Sequence, residues 1–347
     1  MSAERRSQFP PEKTQPSRKE SLKERPFVQG VTVDSESTHA HGATRKRDDA
    51  FWVAKTDTGY TVNVTVTDLS DVVAKNSPLD KRAFRAGRSR PMFPDEVVDK
   101  DMTLKSGQVR PTVSIAVELN NDFVPVTSEV KLTRLQLERA NKLTHRDVSK
   151  ILENPHHSMF DFFSDADHVA KNLRERRQAT SSLGPISEYQ SGSMMVEEFI
   201  LLANKAVVNE FAAHNMHGIF TFKKDGQSPV YTPLFQEGYR IKATAPMRKY
   251  EALINQRILV AKMKGEAPPY TMQQLNDICR VLNENTLSAE KMRIVYEGER
   301  IPVQIPKKVT EKAKLEEQRR RKNAGEPPEM RTIFRIRRNV LPNMGEV

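Results

Sequence analysis

The chain has 347 residues, 37% of them hydrophobic, with 56 Lys and Arg against 45 Asp and Glu, a formal charge of +11. This length supports one large core or two small ones, and the charge favours a polyanionic partner through summed potential and counterion release. Residues 1–26 are charged and Pro-rich with no apolar run, which excludes a signal peptide or membrane span there, and a single cysteine, Cys279, excludes a disulfide framework, so a cytoplasmic protein is predicted.

Residues 1–27 are predicted to form a disordered basic arm, because Lys, Arg, Glu, Ser and Pro cannot offset the entropy of ordering. A main domain is expected over 28–305, followed by a charged tail over 306–347 that carries the run Glu316 to Lys322. Val28, Val31 and Val33 alternate towards Asp34 as a short strand, and a polar stretch follows to Arg47. Phe51–Lys55 and Tyr60–Thr67 read as a hairpin turning at Thr56–Gly59, with Asp48 and Asp49 at its mouth. A second pair of strands is expected from Val113, Ile115, Val117 and Leu119, and from Phe123–Val130, around the turn Asn120–Asp122.

The period then changes. Thr144 and Asp147 read as a helix start that precedes Val148 and Ile151 and stops at Asn154-Pro155. Val196, Phe199, Ile200, Ala203, Val207 and Phe211 recur at helical spacing as a core-facing stripe. Pro246 is expected in the first turn of a helix that runs towards Lys264-Gly265, with Arg248 in that turn and Met247, Tyr250, Leu253, Ile254 and Ile258 as its apolar face. Thr271 and Gln274 form a capping pair for a helix from Met272, in which Cys279 is a packed thiol. Strands first and helices after predict an α+β fold, a mixed or antiparallel sheet core with surrounding helices.

Asp34 ends one strand and Asp48-Asp49 begins another, so a sheet can bring the three carboxylates together. Hard divalent cations bind such oxygen clusters, and phosphodiester cleavage uses them to activate water and stabilise the leaving oxygen. Ordinary turn aspartates are the commoner source of such a run. Arg248, beside the free N–H groups of a helix start, suits a phosphate, and a surface salt bridge is its simpler reading.

Val33-Asp34-Ser35-Glu36-Ser37-Thr38, with Arg45-Lys46-Arg47-Asp48-Asp49-Ala50, resembles the ribonuclease II/ribonuclease R (RNB-domain) signature Asp-Ser-x-Ser-Thr-x-Asp-Ile-Asp-Asp-Ala. Further resemblances follow in order: Val66-Thr67-Asp68 with Ser77-Pro78-Leu79-Asp80, Pro91-Met92-Phe93-Pro94, Val196-Glu197-Glu198-Phe199 with Leu201-Leu202-Ala203-Asn204, and Thr244-Ala245-Pro246-Met247-Arg248-Lys249-Tyr250. The resemblance implies an RNB-type catalytic domain that hydrolyses single-stranded RNA from 3′ to 5′ and releases nucleoside 5′-monophosphates with Mg2+ or Mn2+. It implies Asp34, Asp48 and Asp49 as metal ligands, Asp48 and Arg248 as catalytic residues, and Arg248 at the scissile phosphate. Lys249 and Arg257 are expected on the RNA backbone. Flanking cold-shock and S1 barrels are not expected around this domain.

The chain departs from the family pattern in three places. Lys46 stands where the second motif aspartate belongs, and an insertion, His39 to Thr44, separates the two halves of the signature. Between Ser89 and Pro91 the chain lacks the segment that carries the family's base-stacking aromatic, for which Tyr60, Phe93 or another aromatic is the candidate replacement. His39 and His41 are more simply exposed than ligands. An RNA-binding protein with weak or lost catalysis, because a lysine repels the cation that an aspartate attracts, is therefore the second reading.

Overall fold

The computed structural model describes residues 22–34, 46–86, 92–179, 191–223 and 228–298. Residues 1–21 of the expected arm, the insertion with His39 and His41, the whole of Ser89–Pro91 and the tail from 306 lie outside the described residues. The chain divides into a unit Met1–Glu290 and a unit Lys291–Val347, of which only 291–298 are described.

In the first unit a five-stranded sheet runs in the order β1-β6-β5-β4-β3. β1 (Phe27–Val28) pairs parallel with β6 (Pro125–Gln136), while β6, β5 (Val109–Asn120), β4 (Gly59–Thr67) and β3 (Asp49–Thr56) pair antiparallel in turn. β2 (Thr32–Asp34) pairs parallel with β7 (Lys142–Thr144), and β8 (Phe220–Phe222), β9 (Val230–Thr232) and β10 (Arg240–Ile241) form a small antiparallel sheet. This is the mixed, mostly antiparallel architecture expected.

Of the expected arm, residues 22–27 are described: Arg25 is 6% exposed, and its Nη1 donates to Asp68 at 2.9 Å, which fixes this segment against the sheet. The first hairpin is tighter than predicted, because Thr56 pairs with Gly59 and only Asp57 and Thr58 turn. Gly59 has φ +148°, and a Cβ there would meet the Leu119 carbonyl oxygen at 2.0 Å, so glycine alone fits. The second pair extends further on both strands, and Phe123, at φ 57°, belongs to its turn.

The helices are α1 (Pro78–Ala86), α2 (His145–Leu152), α3 (Phe160–Ala179), α4 (Ser191–Ala213), α5 (Tyr250–Met263) and α6 (Met272–Gly298). The Thr144/Asp147 capping box starts α2, and Thr271 with Gln274 caps α6. Phe199, Ala203, Val207 and Phe211 of α4 are buried as expected, joined by Met195, Leu202 and Ala206, while Val196 and Ile200 lie at the margin. Phe51 of β3 meets Phe199 edge-on at 5.0 Å, joining sheet and helix in one core.

α5 departs from its expected single apolar face, since every residue from Tyr250 to Ala261 is buried. Three of its polar side chains each make several hydrogen bonds to neighbouring segments. Asn255 donates to the carbonyls of Ile219 and Lys242 and accepts from the Ile219 N–H. Gln256 accepts from the Leu69 N–H and donates to the Thr67 carbonyl. Arg257 donates to Asp80, Tyr270 and the Val73 carbonyl. Bonds of this kind offset the cost of burying polar side chains in a helix enclosed on all sides. Among the described residues no helix is long and apolar enough to cross a membrane.

Candidate functional site

Asp34 closes β2 opposite Thr144, the residue that caps α2, so the strand end is held in register by a helix start. Arg47 precedes Asp48 and Asp49 where the chain enters β3; its N–H donates to Thr103 Oγ1 at 2.9 Å and its carbonyl accepts from Leu104 at 3.0 Å. The Asp48 carbonyl accepts from both the N–H and the hydroxyl of Thr67, at 2.8 and 3.1 Å. Since Gln256 holds the Thr67 carbonyl at 2.7 Å, α5 reaches the site through one intervening residue.

The opposing wall is the turn before α5. Ala245 takes φ 62°, and its carbonyl accepts from the N–H groups of Arg248 and Lys249, each at 3.0 Å. Asn204 of α4 steadies this turn by accepting from the Ala243 N–H at 2.9 Å. Arg248 therefore lies in a turn ahead of the helix and not in its first helical turn; Lys249 is the N-cap residue. The left-handed backbone at Ala245 closes the turn before the helix can start.

Asp48 and Arg248 meet here. Arg248 Nε donates to Asp48 Oδ2 at 2.8 Å, and the Met247 N–H donates to Oδ1 at 2.8 Å, so both oxygens of a fully buried carboxylate have donors. Arg248 is 52% exposed, and its Nη2 lies 3.8 Å from Asp49 Oδ1. Asp34 Oδ2 lies 3.0 Å from Arg47 Nε. The structure thus brings Asp34, Asp48, Asp49 and Arg248 together.

Burial raises the Asp48 carboxyl, with Arg248 and the Met247 N–H pulling against it and Asp34 adding to the rise. Burial and then the Asp48 charge push Asp49 up to about 7, with Asp34 adding to this and Arg248 opposing it. For Arg248 burial works downward, but Asp48 and Asp49 outweigh it and raise its pKa. Asp49 and Asp34 are the two carboxylates with surface showing, at 19% and 23%.

Among the described residues no three His, Cys, Asp or Glu side chains are arranged to hold a metal ion. Mg2+ keeps most of its waters and needs only one or two carboxylates together with substrate phosphate, and Asp34 and Asp49 are carboxylates of this cluster with surface showing. Asp48 is shielded beneath Arg248, which leaves the Asp34 and Asp49 side chains as the ones a solvent ion could reach.

Arg257 is not on a binding surface. It is 5% exposed and bonds to Asp80 at 2.9 Å and to the Tyr270 hydroxyl at 2.6 Å, so the expectation of an RNA contact there is corrected. Tyr60 and Phe93, 9% and 1% exposed, are packed in the core and offer no free ring face for a base. Lys46 Nζ is turned to Asp95, 3.7 Å away. Lys249 is half-buried beside the turn.

Arg47 was missed by sequence reasoning, although a basic residue where the motif has isoleucine was a visible signal. Gln256 left no comparable signal. Several motif residues outside the aspartate signature prove to be fold-holding: Asp80 joins Arg257, the Tyr250 hydroxyl and the Asn76 N–H, and Glu198 pairs with Arg177.

Exoribonuclease 2 of Psychromonas ingrahamii is 24% identical over 212 residues, covering 51% of this chain and 32% of that protein. Ribonuclease R 1 of Lactococcus lactis is 24% identical over 236 residues, covering 58% of this chain and 29% of that one. The chain thus spans about a third of the length of these relatives. Mycoplasma genitalium RNase R in complex with ribose-methylated single-stranded RNA superposes with a TM-score of 0.66 at 15% identity, over 82% of this chain and 59% of that one, a likeness of fold. The family model for the RNB domain matches residues 22–237, more than half of the 347, and the chain belongs to the RNB-domain family.

Proposed function

We propose that this protein is a hydrolytic 3′-to-5′ exoribonuclease that acts on single-stranded RNA and releases nucleoside 5′-monophosphates with Mg2+ or Mn2+. The carrying observation is the convergence of Asp34, Asp48, Asp49 and Arg248 from segments 200 residues apart. Asp34 and Asp49 would hold the ion. A bound divalent cation supplies Lewis-acid neutralisation of phosphate charge. Asp48 fixes Arg248 by its Nε edge, so that the exposed part of the guanidinium meets a phosphate with its orientation already set. Lys249, next to this turn, is placed for the RNA backbone. The net charge of +11 concentrates RNA at the protein.

The test is incubation with 3′- and 5′-labelled single-stranded RNA in Mg2+, Mn2+ or EDTA, beside an Asp49→Asn variant. Metal-dependent mononucleotide release that the variant abolishes supports the reading; its absence from the wild type sinks it.

One observation favours the second reading, an RNA-binding protein with weak or lost catalysis. Lys46 replaces a motif aspartate, and the guanidinium of Arg47 already occupies Asp34. RNA retention without hydrolysis, with turnover restored in Lys46→Asp, would establish it.

A further inference from the structure

Two guanidinium groups stand among the three carboxylates. Arg248 pairs with Asp48 and lies near Asp49, and Arg47 pairs with Asp34. Even with all three carboxylates ionised, the two guanidinium charges bring the cluster to −1 at most.

Arg47 and Lys46 are adjacent and basic but differ in consequence. Lys46 Nζ faces Asp95, a residue 65% exposed, and such a solvent-screened pair changes the field at the site little. Arg47 is 5% exposed, and its backbone is tied on both sides to Thr103 and Leu104. Its guanidinium is enclosed by the surrounding chain, and at 3.0 Å it acts on Asp34 through a poorly screened medium.

We propose that Arg47 is a built-in cation for Asp34 that limits the cluster to one divalent ion, which enters together with the RNA phosphate and not ahead of it. With one negative charge left over, the cluster attracts a strongly hydrated ion only weakly. A phosphate beside Arg248 adds negative charge and further oxygen ligands, which is the setting in which Mg2+ is usually held. Ion and RNA must then each raise the other's affinity by the same factor. The inference rests on the nuclease reading of the site and deepens it.

The test is Mn2+ binding to the full chain, followed by electron paramagnetic resonance of the free ion with and without a short ribose-methylated single-stranded RNA. The wild type should bind at most one Mn2+, about tenfold or more tighter with the RNA present. Arg47→Met, which keeps the bulk and removes the charge, should raise RNA-free affinity about tenfold and admit a second ion. Arg47→Lys should match the wild type. Two ions on the RNA-free wild type, an affinity indifferent to RNA, or unchanged binding in a folded Arg47→Met protein would each overturn the proposal. Should Arg47→Met not fold, the stoichiometry and RNA dependence of the wild type still decide. Because binding is read without turnover, failure of the nuclease reading shows separately, as absent hydrolysis of unmodified RNA.

Discussion

Asp48 and Arg248 are 200 positions apart in the chain and 2.8 Å apart in the fold, one fully buried and the other half in water. The two sides of this pair are therefore not equivalent. Asp48→Asn removes a charge whose burial is costly and leaves a guanidinium that water can resolvate, so stability in urea should change by no more than about 1 kcal/mol. Arg248→Met strands a buried carboxylate and should cost about 3–5 kcal/mol. Both should lower turnover about a hundredfold or more through loss of an oriented guanidinium. Equal losses of stability in the two variants would refute the asymmetry.

Arg257 and Lys249 separate folding from binding. Arg257→Ala leaves Asp80 buried without its main partner and should lower stability by about 3–5 kcal/mol, with RNA affinity per folded molecule unaltered. Lys249→Ala should leave stability within about 0.5 kcal/mol while reducing the salt slope of RNA binding by about one. Urea denaturation and salt-dependent fluorescence anisotropy read the two effects.

Asp49 makes the site pH-sensitive. Its folded pKa, raised to about 7, lies above that of the unfolded chain, so the folded state holds the proton more tightly and stability from this group falls as pH rises from about 4 through 7. If the proposed ion binds at Asp49 it competes with that proton, and it should raise the melting temperature more at pH 8 than at pH 5. At a hundredfold excess over Kd the stabilisation is about 2.7 kcal/mol. The same increment at both pH values would remove Asp49 from the ion's ligands.

Cys279 is buried in α6, and burial pushes its thiol up to about 12. At pH 8 the thiolate is scarce and shielded, so alkylation by iodoacetamide should follow unfolding of the helix. Fast labelling of the native protein would contradict this packing.

What was legible in the sequence was local. The hairpin announced itself through alternation around Asp57-Thr58, and both capping boxes were readable because donor and acceptor are three residues apart. The aspartate cluster was legible only through resemblance, since nothing in the spacing of Asp34 from Asp48 says that the strands meet. Arg248 was placed in a helix because Pro246 suits a first turn, whereas the left-handed backbone at Ala245, which ends that possibility, is rare for alanine and leaves no mark on composition. Arg257 was misjudged for a similar reason: its partner Asp80 lies 177 residues away, and an arginine on a helix is ordinarily exposed.

α5 links distant parts of the first unit through its buried polar side chains: Gln256 holds the strand end beneath Asp48, Asn255 the segments at Ile219 and Lys242, and Arg257 the chain at Val73 and Asp80. No single one of these segments can detach without exposing an unpaired group inside the helix's surroundings. Amide hydrogens of α5 should therefore exchange only through global opening, and the nuclease activity proposed for the site should vanish in the same cooperative step as the fold.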